Sequence, residues 1–313
     1  MPSTLRTSLR CIHRHPARCE PCRPEPSRTV IRQSAPMPTP SSVSLPSRPS
    51  LLFKASVACH FGAGVAAATL PAAWPWALGA VALNHAFITA NGLWPRSTWL
   101  GDNLVKLPEP AIARREVSVT IDDGPDAQVT PAVLDLLDAH GAKATFFCIA
   151  ERASRQPALC REIVRRGHSV QNHSHHHSHG FSLLGLNGFT REIGRAQQTL
   201  ADITGHLPRF FRAPAGLRNP MLTPVLRRMD LRLVSWTRRG YDTVQRRPSR
   251  VLVRLTHRLS AGDILLLHDG NAAQTPGGKP VVLEVLPALL GQIRQLGLNT
   301  VTLPQAVPSE TRA

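Results

Sequence analysis

Downstream of residue 95 the chain alternates between two hydrophobic patterns. Short apolar runs of strand length recur at Val117–Ile121, Ala144–Ile149, Ser169–Asn172, Arg209–Arg212, Leu231–Trp236, Asp263–His268 and Asn299–Leu303. Between them lie stretches with apolar positions three and four apart, as an amphipathic helix requires: Thr130–His140, Pro157–Arg166, Thr190–Thr204, Ser249–Leu259 and Val281–Leu296. Gly141, Gly167 and Gly297 follow three of these, where a helix C-terminus takes glycine. Seven strands alternating with helices predict parallel β/α units, and an open doubly wound sheet and a closed barrel both fit. Neither GxGxxG nor GxxxxGKS/T follows the first strand, so the usual phosphate cradle of a nucleotide site is missing.

Upstream the pattern changes. Residues 55–95 contain no Asp, Glu, Lys or Arg, a run longer than the roughly 20 residues of one membrane crossing. Pro71 and Pro75 split it, Trp74, Trp76 and Trp94 are candidate interfacial anchors, and His60, Asn84 and His85 interrupt it. Residues 51–95 are therefore expected to form a membrane-associated segment of one or two helices, the alternative being a helical collar packed on the following domain. Residues 1–50 are rich in Pro, Ser and Arg without periodicity and read as a disordered basic tail, with Met37 as a second candidate start. Cys19 and Cys22 form a CxxC near His13 and His15, but no second spaced pair follows, and an unstructured tail outweighs a zinc site there. Residues 96–313 read as one domain.

Composition narrows the classes. With 42% hydrophobic and 18% charged residues, most of the chain can bury a core, which excludes wholesale disorder. Lys+Arg 37 against Asp+Glu 20 gives a net charge of +17, which favours contact with something anionic: nucleic acid, anionic lipid or an acidic polymer. No nucleic-acid motif or aromatic interleaving accompanies the charge, so no nucleic-acid partner is expected.

The polar residues that matter fall at the carboxyl ends of the expected strands, the rim where a β/α barrel collects its catalytic groups. The first strand ends in Asp122-Asp123-Gly124-Pro125, a solvated turn or a metal-linked carboxylate pair. The third runs into a histidine-rich stretch in which His173 and His177 are four apart, a spacing that one helical turn would bring to a single ion; His175 and His179 share it. His173 is favoured because the sheet holds its backbone. Two histidines and a strand-end aspartate make a three-ligand site with a position left for water, as in catalytic zinc sites. Arg212 ends the fourth strand, as a carboxylate partner or a surface ion pair. His268 ends a fully apolar strand, as a general acid or a hydrogen-bonded structural histidine. Trp236 reads first as core packing, and Asp242 and Asp269 are open between supporting and surface roles.

The order of TIDDGP, NHSHHH, RAPAG, the Trp236–Asp242 segment and LLLHDG resembles the five motifs of the polysaccharide deacetylases, the NodB-homology carbohydrate esterases of family four, over roughly residues 115–305. The resemblance implies a distorted (β/α) barrel of seven or eight strands and a divalent metal, usually zinc. It implies hydrolysis of acetyl groups on an N-acetylhexosamine polysaccharide such as peptidoglycan or a chitin-like oligomer. It further implies Asp122 as general base, Asp123, His173 and His177 as metal ligands, Arg212 orienting the base, His268 as general acid and Asp242 positioning it. Trp236, Leu266 and Pro214 are implied as substrate-binding residues. Three departures are Ile121 for the more usual Phe, Ala215 where many members carry an aromatic, and Thr243 where a Trp often follows. The last two thin the aromatic walls of the groove and bear on the substrate rather than the reaction.

Rival readings are an inactive glycan-binding relative, a basic membrane-bound protein that binds nucleic acid or lipid, and a metal-dependent phosphoesterase. An enzyme acting on envelope polymers is expected to be anchored in the cytoplasmic membrane with its domain facing the periplasm or exterior. Arg48 and Lys54 before the apolar run, and Arg96, Lys106, Arg114 and Arg115 after it, instead suit a hairpin with both ends inside.

Overall fold

The computed structural model describes residues 50–308. The expectations for the basic tail and its CxxC lie outside the described residues.

Eight strands form one sheet: β1 Glu116–Asp122, β2 Ala144–Cys148, β3 Ser169–Asn172, β4 Phe210–Phe211, β5 Arg232–Leu233, β6 Arg238–Arg239, β7 Ile264–His268 and β8 Asn299–Thr300. Every pairing is parallel, in the order β5-β4-β3-β2-β1-β7-β6, with β8 against the start of β1. β2 (ATFFC) and β7 (ILLLH) are buried along their whole length, as strands covered on both faces must be.

The sheet curls because one stretch has two partners. Residues 232–239 pair through β5 with β4 and through β6 with β7, so the stretch bridges the two edges into a distorted barrel. The single expected strand Leu231–Trp236 is thus two short strands, and β6 was not anticipated. No turn residue marks the change of partner, which only the curvature imposes. The expected strand Arg209–Arg212 shortens to two residues for the same reason. The helix expected at Thr190–Thr204 begins earlier, at Leu186, through an Asn187-Gly188 pair that reads as a turn.

Alternation along β1 separates two environments. Val117, Val119 and Ile121 pack in the large outer cluster with Val133, Leu134 and Leu137 of the first covering helix. The intervening Ser118, Thr120 and Asp122 lie among the inward positions, where Phe147, Phe210, Ile264 and Leu266 form the apolar plug of the barrel. Asp122 is the last inward residue of its strand and stands at the rim.

Residues 51–95 form an antiparallel helical hairpin, α1 Leu51–Thr69 and α2 Trp74–Leu93. Its polar groups meet between the helices: Asn84 Nδ2 donates to Ser56 Oγ at 2.9 Å, and His60 Nε2 lies 3.2 Å from His85 Nε2. Its large apolar side chains point outward, with Trp76 and Leu51 each 82% exposed and Phe61 76%. This inverts the arrangement of a helix on a water-soluble domain. Among the described residues one helix, Leu51–Thr69, is long and apolar enough to cross a membrane. The base of the hairpin is tied to the barrel. Arg218 N donates to Gly92 O at 3.1 Å, and Asn103 Nδ2 donates to Pro95 O at 2.9 Å.

Candidate active site

The rim over β1, β3, β4 and β7 brings together seven polar side chains that lie up to 146 positions apart in sequence, and nearly all are buried. The adjacent carboxylates of Asp122 and Asp123 diverge because Asp123 takes a left-handed conformation, φ 74°. Asp122 Oδ1 accepts from Arg212 Nη1 at 2.6 Å. Asp123 Oδ1 lies 3.3 Å from Nε2 of both His173 and His177, and its Oδ2 accepts from Asn271 Nδ2 at 2.9 Å. Two like charges in consecutive positions are thereby given different nearest partners, with Asp122 Oδ2 still 3.8 Å from His173 Nε2.

His173 and His177 share one site although no helix connects them. β3 ends at Asn172, and Ser174 and His177 both adopt positive φ, 64° and 54°, so a tight turn does what one helical turn was expected to do. Asn172 Oδ1 accepts from Ser174 N at 2.9 Å and Ser174 Oγ accepts from His177 N at 3.0 Å, bonds that hold the turn. His173 Nδ1 sits 2.8 Å from Arg212 O; donating there leaves Nε2 with its lone pair toward Asp123. Burial and the neighbouring His173 hold His177 down at about 4, so it is neutral near pH 7 and its lone pair is free. Burial pushes the Asp123 carboxyl up, but the surrounding imidazoles, His173 foremost, outweigh it and leave the carboxyl well below its usual range. His175, His176 and His179 stand apart: His176 Nδ1 pairs with Glu192 at 2.6 Å, His175 rests against His176, and His179 is exposed.

The donor set fits a divalent cation. One carboxylate oxygen and two imidazole nitrogens, from Asp123, His173 and His177, lie within 4.8 Å of one another. Asp123 Oδ1 is buried without a hydrogen-bond partner, an arrangement that is costly unless a cation completes it.

The remaining residues support this centre. Arg212 is fully buried and no surface ion pair. Its guanidinium lies 4.1 Å from the Phe147 ring centroid and donates to Asp122, to Thr120 Oγ1 at 2.8 Å and to Ser235 O at 3.0 Å. Burial pulls Arg212 below its ordinary value and Asp122 opposes that pull. Asp242 grips His268 twice, accepting from its backbone N at 2.8 Å and facing Nδ1 at 2.9 Å. Burial alone would lower the His268 value, but the Asp242 charge and hydrogen bond raise it above that of a free imidazole. Asp269 is also buried: it accepts from Thr130 Oγ1 at 2.5 Å, and burial pushes it up to about 7. Of the substrate positions, Trp236 lines a cavity of about 1050 Å³, whereas Leu266 and Pro214 are packed inside.

Two supporting residues escaped the sequence reading. Arg152 donates to Asp123 O at 2.8 Å and to Asn271 Oδ1 at 2.9 Å. Arg152 follows β2 in an ordinary helical pattern, and only the barrel brings it to the β1 loop. Asn271 had a faint signal, its place after the HDG triplet.

Residues 111–234 match the family model described as polysaccharide deacetylase. A peptidoglycan-N-acetylglucosamine deacetylase of Bacillus cereus is 27% identical over 68% of this chain and 76% of its own length. A chitooligosaccharide deacetylase of Azorhizobium caulinodans is 32% identical over 60% of this chain and 92% of its own. Among solved structures, a family 4 carbohydrate esterase from Streptomyces lividans in complex with acetate superimposes with a TM-score of 0.54 at 31% identity, over 59% of this chain and 91% of the other. With a named deacetylase matched at 32% identity over 92% of its own length, this protein belongs to the polysaccharide deacetylase family and is a hydrolase of that class.

Proposed function

We propose that the protein removes acetyl groups from the nitrogen of an N-acetylhexosamine glycan, a peptidoglycan strand or a chitin-like oligomer, with zinc held by Asp123, His173 and His177. The observation that carries this reading is the separation of two buried carboxylates, one among imidazoles and one on an arginine, beneath a histidine tied to a third carboxylate. A cation bound at the first supplies a Lewis acid for the acetyl carbonyl and lowers the pKa of a water beside it.

The chain's own groups divide the rest of the work. Asp122, oriented by Arg212, accepts the proton of the attacking water. His268, its Nδ1 engaged by Asp242, presents Nε2 and donates a proton to the departing amine. Trp236, whose ring centroid lies 5.8 Å from the Arg212 guanidinium, lines the neighbouring cavity and offers a wall for the sugar. The hairpin α1–α2 serves as a membrane anchor, supported by its outward apolar faces and its run without Asp, Glu, Lys or Arg from residue 55 to 95.

The test is acetate release from N-acetylglucosamine oligomers and peptidoglycan by the full chain, with and without a chelator. Acetate released only with metal present supports the reading. Glycan binding without acetate release under any metal would leave an inactive relative, and phosphate release from a generic ester in its place would make the chain a phosphoesterase.

A further inference from the structure

The net charge of +17 finds no role in the deacetylase centre, and part of it gathers at one place. The cavity of about 1050 Å³ runs from the base of the hairpin to Trp236, and no Asp or Glu lines it. Arg96, Arg239 and Arg254 line it with no carboxylate partner among the described residues. Arg238, also on its wall, is occupied by Asp263 at 3.1 Å.

Two of the free guanidiniums are held by rings. Arg239 lies 5.2 Å from the Trp236 centroid and 4.9 Å from that of Tyr241, and Arg254 lies 5.2 Å from Tyr241 on the same cavity. An aromatic face fixes a cation without neutralising it, so the charge stays available to a third group. The Nε of Arg239 is buried and has no hydrogen-bond partner. Tyr241 is held at φ 62°, an unfavourable conformation for an aromatic residue, one position before the Asp242 that grips His268. Beside Thr237, Gln245 and His257, the wall carries an open apolar stretch: Trp94 from the hairpin base is 57% exposed, Val253 64% and Val244 75%.

Guanidinium forks without counter-charge select an oxyanion that can take several hydrogen bonds, and phosphate matches them better than a neutral sugar does. The open apolar wall, continuous with the hairpin, selects hydrocarbon beside that anion. Resting on the deacetylase reading above, we propose that this cavity binds the phosphoryl group of a substrate in which the acetylated sugar is joined through phosphate to a hydrocarbon chain. The substrate would then be a lipid-carried sugar met at the membrane face.

The probes are N-acetylglucosamine 1-(butyl phosphate) and butyl N-acetylglucosaminide, which differ only in the phosphate, titrated by calorimetry into the full chain in detergent. The phosphate compound is expected to bind about tenfold tighter or better, with a preference that shrinks as salt rises. The ratio of the two dissociation constants is expected to fall about tenfold in the Arg239→Gln, Arg254→Gln double variant. It should fall in the same direction in Arg96→Gln, an exposed site whose change leaves packing intact. Equal affinities in the unaltered chain, or a ratio unchanged in both variants, would overturn the proposal. Stronger competition by dihexanoyl phosphatidylglycerol than by the sugar phosphate would give the cavity to a membrane lipid and remove it from the substrate. Acetate release is read separately: phosphate-selective binding without acetate from either compound, from N-acetylglucosamine oligomers or from peptidoglycan sinks the deacetylase reading and spares the subsite.

Discussion

At the scale of single residues the centre works by giving similar groups different surroundings. Asp122 and Asp123 are neighbours in sequence, but one faces Arg212 and the other two imidazoles. They should therefore fail differently. Asp123→Ala is expected to lose bound metal, while Asp122→Asn keeps it and loses turnover by about 10²–10⁴-fold; metal content measured beside acetate release checks the pair, and equal depletion in both would refute the division. His173→Ala and His177→Ala should abolish metal binding and His179→Ala should not, since only the first two face Asp123. Asp269 offers a stability test. Its folded value of about 7 lies above its unfolded 3.8, so the folded state holds the proton more tightly. Stability is accordingly full below about pH 4 and declines as pH rises through about 7, where the native carboxyl must ionise in a buried place. Asp269→Asn should flatten that decline in urea unfolding at pH 4 to 8. His268 carries the opposite kind of coupling to function: raised by Asp242, it stays protonated to higher pH than a free imidazole, so the alkaline limb of kcat/KM should move down in Asp242→Asn.

Among elements, legibility followed burial. β2 and β7 are continuous apolar runs whose length and flanking glycines mark them, and they were read within a residue or two of their ends. The stretch 232–239 was not, because its partner changes from β4 to β7 through Val234–Thr237 without a turn residue. The histidine turn was misread as helical for a related reason: a spacing of four suits a helix, yet two left-handed residues deliver the same result. The junction between hairpin and barrel also depends on one position. A Cβ on Gly92 would sit 2.3 Å from Arg218 O, a backbone atom that cannot swing away. Gly92→Ala should therefore loosen the hairpin at a cost of about 1–3 kcal/mol, seen as faster limited proteolysis between Trp94 and Ser97.

For the molecule as a whole, the hairpin and the barrel set where the chemistry takes place. Because α1 and α2 are antiparallel, a fully inserted hairpin leaves the residues before Leu51 and the barrel on the same side of the bilayer. We favour the outer side, since the proposed glycans lie there. A reporter fused after Ala313 checks it: activity only of a cytoplasmic-type reporter would place the barrel inside.

What the sequence determined by itself was the local grammar and where its candidate groups fall along the strands. Strand and helix periods, closing glycines and the rim positions of Asp122, Asp123, His173, Arg212 and His268 depend on near neighbours, and near neighbours are written in order along the chain. Tertiary structure decided what depends on distant segments meeting. It closed the barrel through a shared strand, set Asp123 closer than Asp122 to the histidines, brought Arg152 and Asn271 under the β1 loop, and gathered Arg96, Arg239 and Arg254 around one cavity. Those arrangements join separate segments of the chain, in some cases more than a hundred positions apart, and no periodicity or spacing records a contact that exists only once the sheet has curled.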